Sequence, residues 1–306
     1  MRLGCGPALL ARPGLRCYDA RRPPAQPHLS VGLLYLRDSL AWLARADIHL
    51  FRLHWRLLPG PPEAAPRQLA EAAGEMAHVG GLARAADVRL AVHAPLSPCL
   101  GGRVEGEVAR AAATLTALAG LLGGLGAADG VVECHVGGGL GDAAEARARF
   151  ARRYLALPPA VQRRIAIEHD LVHSAGDLVG LHAACGAPVI FDSLHHRLRG
   201  DGRAPRAALA ACLDTWPAGV TPLVHVASPR TEARAMRRRG VRVMRLPRPG
   251  EHADLIHPFE FQDFLAATAG LPPFDIMLEA RAADVALLRL RAGLRRAAPA
   301  LAAGVR

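Results

Sequence analysis

The sequence predicts a closed (β/α)8 barrel of the α/β class, and three observations lead to this fold. Eight short apolar runs recur along the 306 residues, with helical patterns between nearly all of them, as expected for a parallel sheet. Most of these runs end on histidine or glutamate, and barrel proteins collect functional residues at the carboxyl ends of their strands. No G-x-G-x-x-G follows the first run, so the open doubly wound sheet, the alternative architecture, lacks its usual signature. The TIM-barrel architecture is therefore expected.

The predicted elements follow one another in regular order. Strands are expected at 2–6, 48–53, 88–93, 131–135, 164–168, 188–192, 221–226 and 274–278. Helices are expected at 31–46, 67–86, 104–122, 143–155, 177–185, 206–214, 258–269 and 282–301. Gly80-Gly81 should interrupt the second helix, and prolines should keep 59–66 free of helix. An extra helix at 231–239 and a strand-like run at 241–246 follow the seventh strand.

Length and composition favour one domain over residues 1–306, with a frayed tail from about residue 294. A barrel needs about 250 residues, and 51% of the chain is hydrophobic. The six cysteines form no C-x-x-C pair, which is typical of buried thiols in a reducing compartment. The start of the chain lacks a signal-peptide core, and no apolar run reaches about 18 residues. We therefore expect a cytoplasmic monomer with no membrane or protein partner.

The net charge of +11 comes from arginine, because the sequence contains no lysine. Arginine binds phosphate in a bidentate manner, so its excess suits a nucleic-acid partner. A genome rich in G and C would explain the missing lysine equally well. The densest basic run, residues 230–248, follows the seventh strand. It is interpreted either as a phosphate-gripping surface or as a solvated insertion.

Imidazoles and carboxylates collect at the predicted strand ends. They are His93, His135, Glu168, Asp192, His195, His225 and Glu279. Such side chains suit Zn, Mn or Fe, and seven of them exceed what one ion of four to six ligands can use. A cluster of two or three metals is therefore predicted, a type of site that stabilises charge in phosphodiester hydrolysis. A single strand-end histidine is more often structural, and that interpretation is kept for His54, His169, His173, His196 and His257.

At these residues the sequence resembles the UV damage endonucleases, metal-dependent DNA repair nucleases whose TIM barrel is related to endonuclease IV and xylose isomerase. The resemblance rests on Val92-His-Ala-Pro95, His135-Val-Gly-Gly138, Ile167-Glu-His-Asp170, Phe191-Asp-Ser-Leu-His-His196, His225-Val-Ala-Ser228, His252-Ala-Asp-Leu-Ile256 and Met277-Leu-Glu-Ala280. It implies a hydrolase that uses Mn or Zn to nick damaged double-stranded DNA on the 5′ side of a UV photoproduct or similar lesion, leaving a 3′-hydroxyl.

The resemblance also implies a role for each matching residue. The three metal positions would be held by His93, His135 and Glu168; by Glu168, Asp192, His225 and Glu279; and by His195 and His252. Glu168 or Glu279 would bridge ions, and both are the expected catalytic residues. Asp254 would either assist the third metal or cap the following helix.

The sequence departs from the family where the lesion is read. Leu96 and Ser97 stand where the family has a glutamine and a tyrosine, and Leu223 stands in place of a common lysine. The resemblance thus covers the metal ligands better than the lesion-reading surface. Trp55 is expected either to stack on an extruded base or to cap the hydrophobic rim. The other predicted DNA contacts are Arg56, Arg230 and Arg281.

Two other functions stay open from the sequence. A sugar isomerase or epimerase on the same barrel would need one or two metals and would show no affinity for DNA. A degenerate relative, with changed or lost substrate specificity, would bind DNA or metal without turnover.

Overall fold

The computed structural model describes residues 1–15, 17, 28–139 and 141–306, and its eight parallel strands close into a barrel. The barrel strands are β1 (Leu3–Cys5), β2 (Leu50–His54), β3 (Arg89–His93), β4 (Val131–Cys134), β5 (Ile165–Glu168), β6 (Val189–Asp192), β7 (Leu223–Val226) and β10 (Asp275–Leu278). Neighbours in sequence are neighbours in the ring, and β10 closes it by pairing with β1 and β7. The predicted fold class is confirmed.

Helices surround the barrel on its outer face. They are α1 (Leu29–Arg45), α2 (Ala65–Glu71), α3 (Ala73–Ala85), α4 (Glu105–Gly124), α5 (Ala143–Leu155), α6 (Pro159–Gln162), α7 (Ala175–Cys185), α8 (Ser193–Leu198), α9 (Pro205–Leu213), α10 (Pro258–Ala267), α11 (Ala283–Ala297) and α12 (Pro299–Ala302). Local sequence sets several boundaries. Ser174 and Asp177 form a reciprocal cap at the start of α7, and Gly186 ends that helix with a φ of 78°. Of the helices in the described ranges, none combines the length and apolarity needed to span a bilayer.

The barrel interior contains a small apolar cluster that is separate from the main core between strands and helices. We call it the apolar tier: Leu50, Ala91, Val131, Ala166, Ile190, Leu223 and Met277. All seven side chains are buried, and Trp216 packs against them. The strand β1 contributes glycine here, since a Cβ on Gly4 would lie 2.4 Å from the Leu50 side chain. The apolar tier fills this level of the barrel, and an open cavity lies above it.

The helix predicted over 67–86 is interrupted at a different place. The break falls at Ala72, between α2 and α3, and α3 continues through Gly80. A Cβ on Gly80 would lie 1.7 Å from the Leu125 carbonyl oxygen. This glycine therefore permits close helix packing and does not end the helix.

Three further boundaries differ from the prediction. The extra helix at 231–239 is wrong, because Arg234–Arg238 forms strand β8, paired with β9 (Val241–Arg245) in an antiparallel hairpin. The prolines of 59–66 do not exclude helix, since a 3₁₀ turn spans Pro62–Ala64 and α2 begins at Ala65; proline is tolerated in a first turn. The last predicted helix is divided into α11 and α12, and the Leu3 amide donates to the carbonyl of Arg306 at 2.7 Å; fraying of this tail stays a prediction.

Candidate metal centre

The inward-facing residues above the apolar tier are almost all ionisable. We call them the polar tier: Arg52, His93, Glu133, Glu168, Asp192, His225 and Glu279. Each stands two residues after a member of the apolar tier, and residues two apart on a strand point to the same side. The apolar residue directs the strand into the barrel, and the polar residue follows at the open end. The local sequence of each strand thus positions both tiers.

Glu168 is the centre of the polar tier. Its Oε2 lies 3.3 Å from Nε2 of His93, 3.8 Å from Nε2 of His135 and 3.2 Å from Nδ1 of His225. Its other oxygen lies 3.2 Å from Nδ1 of His195. Burial alone would raise the pKa of Glu168, but the imidazoles of His225 and His135 lower it well below its usual value. The carboxylate is therefore ionised at neutral pH.

The ligand atoms form two groups that share Glu168. His93, His135 and Glu168 make one group, and Glu168, Asp192, His225 and Glu279 make the other, with atoms within 4.8 Å of one another in each. Oδ2 of Asp192 and Oε1 of Glu133 are buried without a hydrogen-bond partner among the described residues. Buried carboxylate oxygens of this kind need a cation or a donor. The side chains fit divalent ions, which accept nitrogen and oxygen ligands together.

His195 and His252 lie beside these two groups. His195 is near the start of α8, and its ring centroid lies 6.5 Å from that of His252. Nδ1 of His252 is 3.5 Å from Oε2 of Glu279. The two imidazoles thus lie next to the second group, and they would hold a third ion there.

Oxygen atoms next to the ring nitrogens orient two of the imidazoles. Nδ1 of His93 lies 2.6 Å from the Ala94 carbonyl oxygen, which leaves its Nε2 for Glu168 or a metal. Nδ1 of His135 is 3.5 Å from Oδ2 of Asp170. A carboxylate behind a metal-binding histidine fixes the ring and raises its basicity. Asp170 therefore completes the first ligand group from behind.

Arg52 and Glu133 are members of the polar tier that the sequence-based prediction does not include. Nη1 of Arg52 is 3.2 Å from Oε2 of Glu133 and also donates to Glu279. Glu133 Oε2 is 3.1 Å from Nε2 of His225. The guanidinium lies next to Gly6, the residue after β1, where a Cβ would be in ordinary contact with Nη2 of Arg52 at 4.0 Å. The sequence signal for both residues is the two-residue step from Leu50 and Val131.

The predicted DNA-contact residues are partly occupied by protein contacts. Trp55 is half-buried, and the Arg56 guanidinium lies 4.8 Å from its ring centre. Arg230 is buried and donates to Asp254, and Nε of Arg281 lies 3.6 Å from the same carboxylate. Asp254 therefore pairs with arginines and not with the third ligand group. Contact of these four residues with DNA stays a prediction.

An open cavity of about 610 Å³ lies over the polar tier. Its lining includes Leu96, Gly138, Leu171 and Gly250 in addition to the metal-ligand residues. Fold and site together define a TIM barrel with a cluster of carboxylates and histidines, a candidate metal centre, at its carboxyl mouth.

Sequence comparison identifies the family within that class. A family model described as UV-endonuclease UvdE matches residues 30–300, and the chain belongs to this family. A UV DNA damage endonuclease from Bacillus pumilus (strain SAFR-032) is 31% identical over 166 residues, which cover 53% of this chain and 48% of the relative. The enzyme of the same name from Bacillus velezensis is 28% identical over 221 residues, 71% of this chain and 65% of the relative. The chain thus spans about half the length of the first of these curated relatives.

Solved structures with the same fold include nucleases and epimerases. The crystal structure of SacUVDE aligns with a TM-score of 0.79 at 24% identity, over 96% of this chain and 98% of that one. Endonuclease IV from Thermus thermophilus gives a TM-score of 0.52 at 17% identity, over 86% and 95% of the two chains. A 3-keto-D-glucoside 4-epimerase from E. coli gives 0.59 at 11% identity, over 96% and 99%. At these identities the likeness concerns the fold.

Proposed function

We propose that this chain is a metal-dependent DNA repair endonuclease, a hydrolase that cuts a phosphodiester on the 5′ side of a damaged nucleotide. The observation that carries the proposal is the position of Glu168, which belongs to both groups of potential metal ligands. A carboxylate shared between two ions is typical of the clusters that hydrolyse phosphodiesters. Membership of the UV-endonuclease family supports DNA as the substrate.

Two or three divalent ions, Mn or Zn, suit these ligands. His93, His135 and Glu168 would hold one ion, Glu168, Asp192, His225 and Glu279 a second, and His195 with His252 a third. When bound, such ions supply Lewis-acid stabilisation of phosphate charge and lower the pKa of water. Their number matters, because a single ion would leave several buried carboxylates and imidazoles without a role.

Glu168 and Glu279 are the proposed catalytic residues. Burial alone would raise the pKa of Glu279, but Arg52 and His225 lower it, so the carboxylate is ionised. An ionised carboxylate at the reacting phosphate can accept a proton from the attacking water. In the balanced reaction, the water oxygen bonds to phosphorus, and the 3′ oxygen leaves and takes a proton. The products are a 3′-hydroxyl and a 5′-phosphate.

The substrate class is proposed to be damaged double-stranded DNA with a UV photoproduct or a similar lesion. Membership of the UV-endonuclease family supports this class. Leu96, which replaces the family's glutamine, is 72% exposed beside the proposed metal site. An exposed apolar side chain there can pack on a base that has left the stack. Trp55, Arg56, Arg230 and Arg281 are proposed as further contacts. We further propose that the chain acts as a cytoplasmic monomer with one domain.

The decisive experiment compares nicking of UV-irradiated, abasic and undamaged duplexes with Mn supplied. The wild-type protein should nick the damaged duplexes and should contain two or three ions per chain by elemental analysis. Glu168→Gln and Glu279→Gln should each lower the nicking rate by about 10²- to 10³-fold, because each removes a carboxylate that would hold the charge-stabilising ions and accept a proton.

Glu107→Gln is the matched control, because Glu107 is exposed in the first turn of α4, outside the ligand tier. It should keep the wild-type rate. Nicking at the wild-type rate in Glu168→Gln or in Glu279→Gln would remove that carboxylate from the mechanism. One or two ions per chain, together with no DNA affinity, would instead favour a sugar epimerase.

A further inference from the structure

A two-stranded β-ribbon rises from the same mouth as the metal centre. Its strands β8 and β9 pair from Arg234 opposite Arg245 to Arg238 opposite Val241. Arg239 and Gly240 form the connection, with φ values of 50° and 82°. Two positive φ values in a two-residue turn match the twist of a hairpin. The ribbon Arg234–Arg245 is therefore a regular hairpin.

The base of the ribbon is fixed to a proposed metal ligand. Pro229 forms an antiparallel bridge with His252, and the Arg230 amide donates to the Glu251 carbonyl at 2.7 Å. The Ala253 amide donates to the Ser228 carbonyl at 2.9 Å. These bonds tie both ends of the ribbon to the carboxyl end of β7. A polymer bound at the metal centre would therefore pass close to the ribbon.

The ribbon has a positive charge that no acidic residue within it balances. Six of its twelve residues are arginine, and none is acidic. At its base, Glu251 faces Arg234 and Arg245. Farther out, Arg237 and Arg242 are exposed and directly opposite each other, and neither forms an ion pair within the described parts of the chain. Like charges in opposing positions destabilise a hairpin, so this pair is suited to a polyanion.

Apolar side chains of the ribbon are also exposed. Met236 and Val243 lie opposite each other and are 43% and 37% exposed, and Met244 is 63% exposed. A five-residue strand is about 16 Å long, and the DNA major groove, about 12 Å wide, admits a two-stranded ribbon. Apolar side chains can contact base edges and thymine methyl groups there, while arginines reach the phosphates. A surface of this composition and size fits duplex DNA.

We propose that the ribbon Arg234–Arg245 is a second DNA-binding element that lies in the major groove of the duplex beside the cleavage position. Arg237 and Arg242 contact backbone phosphates, and Met244, which lies on the same face of the ribbon as this pair, rests on the groove floor. The inference rests on the proposed function in one respect, that the substrate is duplex DNA. It assigns affinity and placement to the ribbon, and leaves bond cleavage to the metal centre.

The test measures the salt dependence of binding to an undamaged 30-base-pair duplex. Each lost phosphate contact lowers the slope of log K against log salt by about 0.9. Arg237→Gln/Arg242→Gln should therefore lower the slope by about 1.8 and weaken binding. Arg152→Gln/Arg163→Gln removes the same charge from exposed positions near the amino ends of the strands. That control pair should keep the wild-type slope.

A hydroxyl-radical footprint tests the placement. Replacing residues 235–244 by Asn-Gly should remove protection from one flank of the duplex and leave the protection at the cleavage position. Circular dichroism and ion content check that the barrel of this variant is intact. Equal slopes for wild type and the Arg237/Arg242 variant would overturn the proposal, as would an equal loss in the control pair. Equal affinity for single strands, or a loss of binding to anionic vesicles but not to DNA, would overturn it as well.

These outcomes are separable from the failure of the proposed function. A wild-type protein that nicks no duplex but binds DNA through the ribbon would refute the endonuclease and support the ribbon. If the wild-type protein nicks damaged DNA and the ribbon variant keeps the wild-type salt slope, the endonuclease is supported and the ribbon proposal is refuted.

Discussion

The two tiers of the barrel interior are built on the same seven strands but have opposite chemistry. The apolar tier, represented by Ile190 and Met277, is fully buried and contains no ionisable side chain. The polar tier, represented by Asp192 and Glu279, holds four carboxylates, two imidazoles and one guanidinium. A step of two residues separates them on every strand. The comparison shows that the apolar tier fills the barrel, while burial above it strengthens the interactions between charges.

Arg52 should have the largest effect on stability, because it is the one permanent cation of the polar tier. In metal-free protein, Arg52→Met leaves the Glu133 and Glu279 carboxylates without this partner. Loss of one member of a buried ion pair costs about 3–5 kcal/mol in the free energy of unfolding. Urea unfolding with a chelator measures this loss, and saturating metal should reduce it. An unchanged unfolding midpoint would show that the guanidinium is dispensable for charge balance.

The apolar tier should contribute stability without contributing ligands. Ile190→Ala should lower the free energy of unfolding by about 2–5 kcal/mol, because it leaves a cavity at a fully buried position. Ile190→Val, the smaller truncation, should cost about 0.5–1.5 kcal/mol. The ion content of both variants should equal that of wild type. Loss of ions in Ile190→Val would contradict the division between the tiers.

Asp170 belongs to neither tier, and it should affect metal affinity through His135, whose Nδ1 it contacts. Asp170→Asn should weaken metal affinity by about 10- to 100-fold, the usual effect of removing a carboxylate behind a histidine ligand. Competition with a fluorescent chelator measures this affinity. Asp177→Asn, which changes a cap of α7, is the control and should leave the affinity unchanged.

Metal affinity should also rise with pH. Burial alone would lower the pKa of His195, but its hydrogen bond with Glu168 and the charge of Asp192 raise the pKa to about 9. His195 is therefore protonated at neutral pH in metal-free protein, and metal binding must release that proton. Affinity should increase up to about tenfold per pH unit for each proton released, below pH 9. His195→Gln should reduce the number of protons released on metal binding by one; an identical slope would show that His195 loses no proton when metal binds.

The predictions from sequence succeeded where the signal is local and repeated. The eight apolar runs predicted the barrel, because alternation within a strand and the order of strands and helices are properties of the sequence alone. The predicted ligand groups around Glu168 come together because parallel strands bring their carboxyl ends to one mouth. Gly80 was misread, because its reason is the Leu125 carbonyl of another helix. The basic segment was misread as helix, because pairing across the Arg239-Gly240 turn decides its conformation.

The order of strands, the step of two residues between the tiers and the residues that end the strands can all be read from the sequence. Which charges meet depends on how the strands are arranged in the folded barrel. Arg52 on β2 contacts Glu133 on β4 and Glu279 after β10, although neither of these strands is a neighbour of β2. That contact joins residues 81 and 227 positions apart. Periodicity describes one strand at a time, whereas the electrostatic balance of the mouth depends on distances between strands.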